Sequence, residues 1–144
     1  MIKHLQSIYK MIGNYGCYYL AVIQLAEKIT GKDIDPIETL ERATLRGYVK
    51  VNFDKLDSTD AMYMSNPAGL LSYLTGQVWA NARYDYPVEV KANEYEIQFW
   101  AMSKTDASNG FGHFVLADGE DTLQYSYIHK NGKQYGSRIF WRVR

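Results

Sequence analysis

Gly16-Cys17-Tyr18-Tyr19-Leu20-Ala21-Val22-Ile23-Gln24-Leu25-Ala26-Glu27-Lys28-Ile29-Thr30-Gly31 is apolar almost all round. A helix of that kind belongs inside a domain rather than on its surface. Cys17 opens it and Gly31 is placed to stop it. Before it, Ile2, Leu5, Ile8, Tyr9 and Ile12 have the spacing of a short amphipathic helix, which Gly13 and Asn14 interrupt. After it, Asp35-Pro36-Ile37-Glu38 offers an N-cap, a proline at the first helical position and a capping-box acid. Ile37, Leu40, Thr44 and Leu45 are the expected inner face of that next helix, with Gly47 at its end. Asn66-Pro67 starts another, running through Leu70, Leu71 and Leu74 to Gly76.

Beyond Pro87 the period of the pattern changes to two. Val88-Glu89-Val90, Tyr95 to Met102, His113 to Ala117, Thr122 to Ile128 and Arg138 to Val143 read as strands, rich in β-branched and aromatic residues. Asp118-Gly119-Glu120-Asp121 and Asn131-Gly132 read as hairpin loops. Helices first and antiparallel strands after make an α+β plan, with N-terminal helices packed on a C-terminal antiparallel sheet. The expected organisation is a single domain over 1–144, with a mainly helical half over 1–80 and a sheet half over 87–144. A chain of 144 residues is long enough to bury a core without disulfides or a structural metal.

Sixteen basic and sixteen acidic side chains balance to a formal charge of zero. That gives no support for a nucleic-acid surface, which rests on basic groups displacing counterions from phosphates. Lys130, Lys133, Arg138, Arg142 and Arg144 read as a solvated surface and tail. One cysteine and three scattered histidines, His4, His113 and His129, match no zinc-site spacing. The acidic turn Asp118, Glu120 and Asp121 lacks the ligand spacing of a calcium loop. No metal or organic cofactor is expected. The N-terminus lacks the apolar run of a signal peptide and no segment reaches membrane-spanning length, so the expectation is a soluble, cytoplasmic protein. Thirteen tyrosines suit either a core or an adhesive surface, with Tyr84, Tyr86, Tyr125 and Tyr127 as groove candidates.

Two short segments carry chemistry. Cys17 heads a helix in Gly16-Cys17-Tyr18, and His113 heads a strand in Gly112-His113-Phe114-Val115-Leu116. The thiolate is the attacking form of cysteine, and a helix N-terminus or an imidazolium stabilises it. Taken singly, a buried cysteine is more often a small inert hydrophobe, and a histidine between apolar residues is more often a satisfied core residue. Their order and placement together point to a nucleophile and its base.

The arrangement resembles the papain-like cysteine peptidase superfamily, in which a helix carrying the nucleophile packs on a sheet carrying the base. Gly16-Cys17-Tyr18 is similar to its small-Cys-aromatic segment. Gly112-His113-Phe114-Val115-Leu116 is similar to the Gly-His-hydrophobic strand of the bacteriocin-processing, C39-like branch. The whole also resembles a small branch of spirochaete and phage proteins with a Gly-Cys-Tyr helix start. The Cys17–His113 separation is shorter than the ~130–150 residues of papain itself, which suits compact bacterial branches. The resemblance implies a peptidase or amidase with Cys17 as nucleophile and His113 as base, acting on a peptide or protein.

Two departures follow. The glutamine that usually precedes the cysteine and serves the oxyanion is replaced by Met11, leaving Asn14 or Gln6 as candidate donors. The asparagine or aspartate that orients the histidine is also missing. Across the expected hairpin, a two-residue loop sets Ser126 opposite His113, a three-residue loop Tyr127 and a four-residue loop Ile128, and Gln124 is the nearest amide. The alternative reading is a catalytically idle papain-like fold, a protein-binding module or a phage- or plasmid-encoded inhibitor.

Overall fold

The computed structural model describes residues 11–12, 16–56, 61–116 and 132–143. The chain divides into two compact units, Met1–Gly76 and Gln77–Arg144. The described residues form an α+β protein with two antiparallel sheets. Among the described residues no helix is long and apolar enough to cross a membrane.

In the first unit, α1 spans Cys17–Thr30, the range expected from its apolar run, and Gly31 closes it at φ 71°. Tyr19, Ala21, Val22, Ile23, Leu25 and Ala26 are buried along it. Helix α2 (Pro36–Leu45) starts where the cap signal places it, because the Asp35 carboxylate accepts from the N–H groups of Ile37 and Glu38 at 2.8 and 3.3 Å. Glu38 makes no capping box; it meets Arg42 one turn on, at 3.6 Å in solvent. The expected inner face needs correction. Thr39, Leu40 and Ala43 face inward, whereas Leu45 is 80% exposed. A helix so short buries one narrow stripe, and Leu40 and Ala43 lie on it three residues apart. Helix α3 (Pro67–Thr75) has its N-cap in Asn66, which accepts from Gly69 N–H at 2.9 Å. It packs against α1 and buries Leu70 and Leu71. Between α2 and α3, β1 (Val49–Val51) and β2 (Met62–Met64) pair antiparallel. Met11 and Ile12 are helical and buried, and the other residues of the expected first helix, with Gly13 and Asn14, lie outside the described residues.

Tyr19 joins α1 to the start of α2 through a 2.7 Å hydrogen bond from its phenol to the Pro36 carbonyl. Burial, and secondarily the negative charge of Asp35, push that phenol above its usual value. The unfolded chain ionises near pH 10 while the folded one resists, so the contribution is complete below about pH 10 and is lost as pH rises. Stability is expected to fall by up to ~1.4 kcal/mol per pH unit above that point, and Tyr19→Phe is expected to remove this component. Urea unfolding followed by circular dichroism at pH 9, 10 and 11 in both proteins measures it.

Among the described residues the second unit is a four-stranded antiparallel sheet, β3 (Trp79–Asp85), β4 (Glu94–Ala101), β5 (His113–Leu116) and β6 (Lys133–Arg142), in the order β3-β6-β4-β5. A short helix, α4 (Lys104–Ser108), links β4 to β5. Ile97, Phe99, Phe114, Leu116 and Phe140 share one face, where the Phe99 and Phe114 rings lie 4.9 Å apart and Arg138 sits 5.1 Å from the Phe114 ring. The other face carries Glu96, Gln98, Trp100, His113, Val115 and Ser137.

Three strand expectations change. Trp79–Asp85 is a strand although it precedes Pro87. Val88–Val90 is not one; the chain there runs into a turn in which Glu94 N–H bonds the Lys91 carbonyl and the Glu94 carboxylate accepts from Lys91 N–H. β6 starts at Lys133, five residues before the expected Arg138. The expected strand Thr122–Ile128 and the Asp118–Asp121 loop lie outside the described residues.

Candidate functional site

Cys17 belongs to the first unit and His113 to the second. The two residues share one local device, a glycine with no room for a side chain just before the chemical group. At Gly16 a Cβ would lie 2.7 Å from the Ile12 carbonyl oxygen and 3.0 Å from Met62 Sδ. At Gly112 it would press on the Trp100 carbonyl oxygen and lie 2.6 Å from Phe99 Cζ. The Gly-Cys and Gly-His pairs of the sequence therefore have a steric cause, since only glycine lets each backbone pass that close.

Cys17 is the first residue of α1 and is half-buried. Gly16 brings no side chain to cap the first turn, and a helix N-terminus favours negative charge beside it. Asn14 and Gln6, the oxyanion candidates, lie outside the described residues.

His113 opens β5 directly opposite Trp100 on β4. Its imidazole lines a cavity of about 320 Å³ together with Trp100, Met102, Asp106 and Phe111. Nδ1 is buried and has no hydrogen-bond partner among the described residues. Buried polar atoms are nearly always satisfied, so this imidazole nitrogen is an exception. The orienting candidates Ser126, Gln124 and Tyr127 lie outside the described residues.

Sequence reasoning missed what stands on the strand that pairs with β5. Glu96, Gln98 and Trp100 form a ladder along one face of β4. Trp100 Nε1 donates to Gln98 Oε1 at 2.9 Å, and Gln98 Nε2 donates to Glu96 Oε1 at 3.1 Å. The other carboxylate oxygen accepts from Ser137 Oγ and, at 3.1 Å, from Gln134 Nε2. Gln134 also donates to Ser137 Oγ at 2.9 Å. A bulge makes this possible. Phe99 pairs with Gly136 but Trp100 pairs with Gln134, so Tyr135 is the extra residue and Gln134 turns onto the same face as Ser137. The ladder fixes the Trp100 ring beside His113 and so fixes one wall of the cavity. Its sequence signal was a strand with hydrogen-bonding side chains at every second position.

Helix α4 contributes Asp106 to the lining. Ser103 caps it by accepting from Asp106 N–H at 3.1 Å, and the Asp106 carbonyl accepts from Phe111 N–H at 2.8 Å. The Ser-x-x-Asp spacing of Ser103 and Asp106 was the visible sign of this helix. The Asp106 side chain has no ion pair or hydrogen bond among the described residues. No group of three His, Cys, Asp or Glu side chains able to hold a metal occurs among the described residues. Compared with family models, with curated proteins and with solved structures, the chain gives no significant match.

Proposed function

We propose that this chain is a papain-like thiol hydrolase of peptide or amide bonds, with Cys17 as nucleophile and His113 as base. The observation that carries the reading is His113, an imidazole at a cavity wall whose buried Nδ1 has no described partner. The position of Cys17 at the head of α1 supports it from the other unit. In the reaction the Cys17 thiolate attacks the carbonyl carbon, the C–N bond breaks, and His113 gives its proton to the leaving amine. Water, deprotonated by His113, then hydrolyses the thioester and regenerates the thiol. The reaction needs no metal or organic cofactor, and its substrate is a peptide or protein. The cytoplasm, where thiols stay reduced, is the compartment that suits such an enzyme.

The test is the pH-dependence of iodoacetamide alkylation, with and without His113→Ala. Every adduct is on Cys17, because the chain has one cysteine. The expected result is an apparent pKa well below the ~8.5 of an ordinary thiol, moved up by the histidine substitution. A thiol that titrates like free cysteine in both proteins overturns the reading.

A second reading has its own observation. Met102 and Phe111 at the cavity are 48% and 57% exposed, and no described residue orients the His113 ring. Those features suit an idle fold that binds a protein partner. Such a binder keeps its function through Cys17→Ser and loses it on Phe111→Ala.

A further inference from the structure

We infer that the His113 cavity recognises a basic side chain, with arginine as its best occupant, presented by a peptide. The inference rests on the thiol-hydrolase reading only for calling that peptide a substrate; the binding itself stands on the cavity.

Its lining includes Trp100, Phe111, Met102 and Asp106, and the Asp106 carboxylate has no described partner. Three classes of occupant can be compared. An anion would meet the Asp106 carboxylate, which repels it, with only the His113 imidazole to set against that repulsion. A neutral apolar side chain would take water from the half-exposed Asp106 carboxylate and give nothing back. A cation on an apolar stem answers both features at once, with its stem on the rings and its charge at Asp106. Arginine fits best, because a planar guanidinium stacks on aromatic faces and meets a carboxylate through two parallel hydrogen bonds. The chain stacks its own arginines on aromatic rings in the same way. Arg46 lies 4.3 Å from the Tyr73 ring centroid and Arg138 lies 5.1 Å from that of Phe114. A volume of about 320 Å³ is at the lower end for ligand sites, which suits one long side chain. The Glu96–Gln98–Trp100 ladder holds the stacking ring in place before any ligand arrives, so little ordering remains to oppose binding.

The experiment titrates the full chain with Nα-acetyl-arginine amide and Nα-acetyl-citrulline amide, following the Trp100 indole and Gly112 amide resonances by NMR. Citrulline has the shape of arginine without its charge. The arginine compound is expected to saturate at about 1–10 mM, the range open to a ligand of this size. The citrulline compound is expected to bind at least tenfold more weakly, and Asp106→Asn to bring the two within twofold of each other. Equal affinity for the two compounds, a preference that survives Asp106→Asn, or no binding of either overturns the inference. The comparison in the unmutated protein needs no variant to fold. The outcome also separates from that of the alkylation test. Arginine preference with an ordinary Cys17 thiol leaves a binding cavity and removes the hydrolase, while a poised thiol without that preference does the reverse.

Discussion

Gly112→Ala is expected to destabilise the Gln77–Arg144 unit by about 3 kcal/mol, the upper end for overpacking a filled site. The added methyl meets the backbone carbonyl of Trp100 and the Phe99 ring at 2.6 Å. A flexible side chain gives way cheaply, but a strand carbonyl moves only if the β4–β5 ladder moves with it. His113 is the next residue and the partner of Trp100 in that ladder, so the displacement falls on the imidazole. Denaturant unfolding followed by tryptophan fluorescence measures the loss, since Trp79, Trp100 and Trp141 are the chain's three tryptophans and all lie in this unit. The His113 ring resonances are expected to shift in the folded variant. A loss under about 1 kcal/mol, within the range of ordinary surface changes, would show that β5 does not pass close to Trp100.

Glu96→Ala is expected to cost a similar amount for the opposite reason. The carboxylate accepts from Ser137, Gln134 and Gln98, and Ser137 is fully buried. Removing the acceptor strands these donors, and each buried donor left without a partner costs about 1–3 kcal/mol. Water can reach the half-buried amides of Gln134 and Gln98, which brings the expected total to about 3 kcal/mol. Glu96→Gln keeps one carbonyl oxygen and should lose about half as much. Gln98 released from Glu96 no longer holds Trp100, so the Trp100 indole resonance should broaden in the alanine variant. The same fluorescence-detected unfolding reads the stability. Equal losses for Ala and Gln would mean that shape rather than hydrogen bonding sets the role of this residue.

The helices of this chain were legible because their signals are local. Asp35-Pro36, Asn66-Pro67 and the apolar run after Cys17 each fix a start within one turn, through backbone groups that need a partner wherever the helix finally packs. The sheet was only partly legible, because a strand is defined by a neighbour that can lie far along the chain. Trp79-Ala80-Asn81-Ala82-Arg83 has no strong apolar alternation and is a strand because β6 pairs with it. Lys133-Gln134-Tyr135-Gly136-Ser137 is polar and lay before the expected strand start at Arg138, yet Ser137 is buried, because Glu96 and Gln134 satisfy its hydroxyl. A polar residue can occupy a core position when another polar group meets it there, and periodicity does not register such pairs. For the site, Gly-Cys and Gly-His were visible as motifs. Counting register forward from His113 led away from β4, the preceding strand that pairs with β5 and carries the Glu96–Gln98–Trp100 ladder. The Ser103-x-x-Asp106 spacing marks a helix start but not a site, and Asp106 gains a role only from its place in the cavity lining.

The sheet's order has a consequence for synthesis. β6 fills the place between β3 and β4, although both precede it in the chain. As the polypeptide leaves the ribosome, β4 and β5 can form their ladder, but β3 has no described partner until Lys133–Arg142 emerges. For that interval β3 and the inner edge of β4 stay unpaired, the condition under which nascent chains aggregate or recruit chaperones. The unit then closes in one late step by insertion of a single segment. That makes Lys133–Arg142 a natural fragment for split-protein complementation, supplied as a separate peptide to a chain that stops before it.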